Sequence, residues 1–139
     1  MGTVHVRWVG DMQFSATDST NHSVVLSSTG DGVGMKPSDL VAVALGGCTA
    51  VDVVNILTKK RARLIDFRVS VSGEQNEDGW PRPFTKFHIH YAVTGFDLKR
   101  EDVEKAIQLS EEKYCSVSAT LRPAAEITTD FEIIDAATL

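Results

Sequence analysis

Cysteine is scarce in this chain of 139 residues, which holds two, Cys48 and Cys115. They form no Cys-x-x-Cys, and the four histidines His5, His22, His88 and His90 lack the paired spacing of a zinc site. A metal centre would have to be assembled wholly by tertiary structure, and none is expected. Positive charge is also short. Lys and Arg number 14 against 19 Asp and Glu, a net charge of -5 that gives no electrostatic reason to seek nucleic acid or an anionic membrane. No repeat, low-complexity tract or linker interrupts the sequence. Its length and 42% hydrophobic content suit one domain spanning residues 1–139. The opening residues show neither a basic start followed by an apolar run nor a small-residue cleavage site, so the expected location is the cytoplasm. In a reducing compartment two cysteines are more often free or redox-active than a static bridge.

Only Leu40 to Leu57 is apolar enough to raise the question of a bilayer span, and Thr49, Asp52 and Asn55 interrupt it. A buried helix is expected instead. Pro37 suits its first turn and Asp39 the positive end of its dipole, and the basic residues Lys59, Lys60, Arg61 and Arg63 suit its far end, so the helix is predicted from Leu40 to about Arg63. Before it, Val4–Val9, Met12–Ala16 and His22–Ser27 predict a meander of three strands, followed by a loop at Gly30–Gly34. After it, Phe67–Val71 and Thr85–Val93 alternate with period two across a polar turn near Gly79. Asp97 is placed to cap a second, amphipathic helix that runs to about Tyr114, and a last strand is predicted from Ala125 to Ile133. The order of elements predicts an α+β fold with an antiparallel sheet.

The two cysteines sit in different company. Gly46 and Gly47 each forfeit roughly 1 kcal/mol of helix propensity relative to Ala, which suggests close approach of a second backbone beside Cys48. Cys115 lies in a hydroxyl-rich stretch with Ser116, Ser118 and Thr120. Taken singly, each also fits a small buried hydrophobe, the ordinary state of a cysteine on an apolar helix. His88 and His90 share one face of a strand, and such a pair is usually a half-solvated sheet face.

The run Lys36-Pro37-Ser38-Asp39-Leu40 through Leu45-Gly46-Gly47-Cys48, with Tyr114-Cys115-Ser116-Val117-Ser118-Ala119-Thr120 later, resembles the paired signatures of the OsmC/Ohr family of osmotically inducible and organic hydroperoxide resistance proteins. The resemblance extends over nearly the whole chain. It implies an α+β fold in which two chains intertwine as a homodimer around long central helices. It also implies thiol peroxidase chemistry on a small hydrophobic peroxide, with Cys48 peroxidatic and Cys115 resolving. An external dithiol would serve as reductant, without metal, haem or flavin. The family sets a Glu directly after the motif proline and an Arg beside the first cysteine. Here Ser38 follows Pro37, Asp39 comes one place later, and Arg7 and Arg82 are the candidates for the Arg. These departures resemble a divergent subgroup. They keep a second reading open, a dimeric binding or redox-sensing protein with little peroxidase activity, beside a plain structural domain with two unrelated core cysteines.

Overall fold

The computed structural model describes residues 2–28 and 32–139, so positions 30–31 of the expected Gly30–Gly34 loop lie outside the described residues. The chain falls into two compact units, Met1–Val41 and Ala42–Leu139. In the first, β1 (His5–Gly10), β2 (Gln13–Thr17) and β3 (Ser23–Ser27) form the expected antiparallel meander in the order β1-β2-β3. Gly10 and Asp11 make the first turn at φ 114° and 46°, a left-handed region that glycine enters without a Cβ penalty. At the second turn the Asp18 carboxylate accepts the backbone N–H groups of Thr20 and His22. Backbone conformation makes the first turn and the Asp18 side chain closes the second locally, so the meander needs few residues.

The long helix α1 (Pro37–Lys59) carries Pro37 in its first turn as expected, starts three residues before the predicted Leu40 and ends earlier than Arg63. Arg61 takes a left-handed φ of 60°, its N–H donating to Thr58 O (3.0 Å) and that of Ala62 to Leu57 O (3.0 Å). That pair of bonds caps the last carbonyls and stops the helix before Arg63, which opens β4 (Arg63–Gln75). Leu45, Thr49, Val53 and Leu57, four apart, form the buried stripe of α1. Gly46 lies against β4, where a Cβ would meet Val71 Cγ2 at 2.9 Å. Its missing side chain lets helix and sheet close up.

β5 (Phe84–Phe96) pairs antiparallel with β4, and its alternation sorts as expected: Phe87, Ile89, Tyr91 and Val93 are buried on one face, His88 and His90 half-exposed on the other. The second helix α2 (Arg100–Leu109) buries Val103, Ala106 and Ile107. Asp97 does not cap it. Asp97 turns the chain at φ 54°, and Lys99 takes the cap position without a side-chain bond. A π-helical turn (Ser110–Tyr114) and the short α3 (Ser116–Leu121) lead to β6 (Glu126–Asp135).

The expectation of an antiparallel sheet holds for β1–β3 and for β4 with β5, and it fails for β6, which runs parallel to β5 from Lys86↔Glu126 to Gly95↔Asp135. The reason is the helical crossover. Parallel neighbours need a long connection, and the stretch from α2 through α3 carries the chain back to the starting end of β5.

On the open face of this sheet Asp130 accepts from His88 Nε2 (2.8 Å) and His90 Nδ1 (2.9 Å). The hydrogen bond to Asp130, then that to Glu132, raises the His90 pKa above 6.5, and the histidines lower that of Asp130 below 3.8. A raised histidine stabilises below its ordinary value and loses that contribution as pH rises through the folded one. A lowered aspartate stabilises above its ordinary value and loses it as pH falls. The pair therefore supports the fold most between about pH 3.8 and 6.5. Asp130→Asn is expected to shift the His90 NMR titration midpoint downward.

Candidate functional site

Cys48, Asp52 and Cys115 converge within the second unit. The two sulfurs and a carboxylate oxygen of Asp52 all lie within 4.8 Å of one another. Asp52 stands four residues after Cys48 on α1, so the helical period sets both on one face. Cys115 comes from the far side of the crossover. The π-helical turn closes with the Cys115 N–H on Ser110 O (2.8 Å), and the chain then straightens at Cys115 (ψ 103°) to begin α3. The Cys115 sulfur accepts from the Ser118 N–H at 3.3 Å and thereby caps α3.

The thiols are unequal. Cys48 is half-buried, whereas Cys115 is 3% exposed. Burial pushes the Cys115 thiol up from its ordinary value, the Ser118 hydrogen bonds oppose that, and the neighbouring Cys48 adds to it. Cys115 therefore holds its proton more firmly than a solvated thiol.

A buried polar chain braces the pair. Ser110 Oγ donates to Asp52 Oδ2 (2.9 Å) and approaches Thr49 Oγ1 (2.9 Å), which bonds Tyr91 OH on β5 (2.7 Å). Ser110, Thr49 and Tyr91 are fully buried, and burial also raises the Tyr91 pKa, so its phenol stays protonated and available to donate. Thr49→Val would leave the Tyr91 hydroxyl without its partner, and is expected to lower unfolding free energy by about 1–3 kcal/mol in a denaturant titration. Behind Cys115, Ser118 Oγ donates to Glu111 (3.2 Å to Oε2), and Arg122 Nη2 donates to the same carboxylate at 2.8 Å.

The other sequence-derived candidates stand exposed. Arg82 stacks on the Trp80 ring at 4.3 Å and donates to Gly79 O. Arg7 is exposed on β1, and Asp39 is exposed in the first turn of α1. The carboxylate beside the sulfurs belongs to Asp52, which sequence reasoning passed over as a polar interruption. Its spacing from Cys48 was the available signal. Ser110, Glu111 and Arg122 were also missed, because hydroxyl and carboxylate positions around Cys115 depend on the π-helical turn, which no periodicity announces. Two thiols and one carboxylate are three donors that could hold a metal ion, one short of a closed structural zinc site, and Ser110 engages the carboxylate. The cluster is that of a dithiol with an acid beside it.

Two clefts flank this region. One of about 510 Å³ between α2 and β6 includes Glu111 and Arg122 but neither thiol. A smaller one of about 370 Å³ is lined by Asp52, Asn55, Ile56, Lys59, Lys60, Leu109 and Tyr114. Chemistry favours the smaller, since Asp52 joins it to the sulfurs.

A long apolar helix, a mixed sheet and a convergent dithiol define a small α+β thiol protein. Residues 29–130 match the model of the family described as OsmC-like protein, and the chain belongs to that family. The protein YhfA of Escherichia coli (strain K12) is 38% identical over 131 residues, 94% of this chain and 97% of that protein. In fold the chain is similar to an OsmC-like protein of Mycoplasma pneumoniae (TM-score 0.83, 12% identity, 96% and 97% of the two chains). It is also similar to an organic hydroperoxide resistance protein OsmC of Legionella pneumophila (TM-score 0.70, 14% identity, 95% and 96%).

Proposed function

We propose that this protein is a cytoplasmic, homodimeric thiol peroxidase that reduces organic hydroperoxides through Cys48 and Cys115. The observation that carries the reading is the meeting of the two sulfurs within 4.8 Å. Their unequal burial supports the division of labour. The more accessible Cys48 attacks the terminal peroxide oxygen as a thiolate, the O–O bond breaks, an alcohol leaves, and Cys48 becomes a sulfenic acid. The buried Cys115 thiol then forms the S–S bond and releases water, and an external dithiol restores both thiols. Family membership and fold relatives named for organic hydroperoxide resistance support the substrate class. Free cysteines fit a reducing compartment.

A second copy of the chain fits the open face of α1. There Val43 is 50% and Val51 70% exposed, with Gly47 between them facing open space. The helix is strongly apolar, yet 28% of its most apolar 18-residue stretch is buried within the chain. By length and composition the helix would also cross a bilayer. Thr49, Asp52 and Asn55 interrupt the apolar stretch and favour a protein partner over lipid, where polar groups are costly.

The test is alcohol formation from an alkyl hydroperoxide in the presence of a dithiol. Wild type turns over and Cys48→Ser does not. No alcohol from wild type would overturn the peroxidase reading in favour of a dimeric binding or redox-sensing protein, which Ser38 at the family's Glu position favours.

A further inference from the structure

Closing the disulfide poses a problem in proton transfer. Cys115 is 3% exposed, and its proton must leave as the sulfur attacks Cys48. Water has little access to that atom. A carboxylate does, because an Asp52 oxygen lies within 4.8 Å of both sulfurs, a span that direct contact or one water bridges. Ser110 Oγ holds the other end of the matter: its 2.9 Å bond to Oδ2 fixes the carboxylate, and Ser110 itself is fully buried. Asp52 also lines the 370 Å³ cleft, which gives it an exit for a proton that the sulfur lacks.

We propose that Asp52 is the proton carrier of this thiol pair, taking the proton of Cys115 as that sulfur attacks Cys48. The proposal rests on the dithiol reading above. In the peroxide cycle Cys115 Sγ bonds to Cys48 Sγ and the Cys48 S–O bond breaks. Cys115 is oxidised, the Cys48 sulfur is reduced, and the proton held by Asp52 goes to the departing hydroxide as water. The role is that of an acid–base residue supplied from α1 itself, one turn beyond Cys48. The titratable and charged groups around Asp52 are the two thiols, Tyr91 of β5, Glu111 and Tyr114 of the π-helical turn, Lys59 at the end of α1 and Lys60 just beyond it.

The experiment loads Cys48 with an aromatic disulfide whose released thiolate is coloured, so that it does not depend on peroxide. One thiolate leaves when Cys48 reacts, and a second when Cys115 closes the bridge. In wild type the second phase is expected to be nearly flat between about pH 6 and 8, because the carboxylate serves as base. In Asp52→Asn it should be slower by roughly 10²-fold at pH 7 and rise about tenfold per pH unit, following the thiolate fraction of Cys115. The neighbouring groups are the same in both proteins, so a slope that appears only in the variant belongs to Asp52. Asp52→Glu should recover a flat profile, and Ser110→Ala, which keeps the carboxylate, should stay flat even if slowed. An Asp52→Asn profile that matches wild type, or a wild type with no second phase, overturns the proposal. A parallel arm with an alkyl hydroperoxide separates the two readings. Exchange that depends on Asp52 without alcohol formation retires the peroxidase and leaves the proton carrier standing.

Discussion

Oxidation of the Cys48–Cys115 pair is expected to raise the melting temperature by about 10 °C or more. The bridge would join position 48 to position 115, and closing a loop of that length removes roughly 4 kcal/mol of chain entropy from the unfolded state. For a chain of this size each kcal/mol moves the midpoint by about 2–4 °C. The sulfurs already lie within 4.8 Å, so the bond asks for a short approach rather than a rearrangement of elements. Calorimetry of protein treated with a stoichiometric oxidant, against the same protein in excess dithiol, measures the difference. Cys115→Ser should show none. A fall on oxidation would mean that strain in the bridge exceeds the entropic gain.

The second large effect concerns the open face of α1. Val51→Asp is expected to abolish assembly, because in the proposed dimer a carboxylate there would be buried without a partner, at a cost of several kcal/mol. In the isolated chain Val51 is 70% exposed, so the same substitution would be nearly silent were there no second copy. The two outcomes are far apart. Sedimentation velocity should report a dimer for wild type and a monomer, or unfolded chain, for the variant, since dimers of this kind often lack a stable monomer. A wild-type monomer would show that α1 needs no such cover.

Elements with strong periodicity were legible in the sequence. The β5 alternation placed Phe87, Ile89, Tyr91 and Val93 inside, and Pro37 marked the start of α1. Boundaries set by backbone conformation were not. Arg61 ends α1 in a left-handed geometry that is rare outside glycine, and Asp97 is used as a turn residue where its chemistry suited a helix cap. The parallel course of β6 was hidden for another reason. Alternation shows which residues face inward and is silent about strand direction. At the site, the cysteines stood out by rarity and by family pattern. Asp52 carried one signal, its spacing of four from Cys48, whereas Ser110, Glu111 and Arg122 are ordinary surface-type residues in sequence that only the tertiary arrangement brings near the site.

Parallel pairing of β6 also bears on the order of events after synthesis. β4 and β5 are consecutive strands that can pair across their own hairpin, whereas β6 pairs with β5 only across the whole helical crossover. Cys115 rides on that crossover. The juxtaposition of the thiols is therefore expected to form late, and an incomplete chain that meets an oxidant would have no preformed partner for Cys48. Competence for the proposed redox cycle would then mark a finished fold.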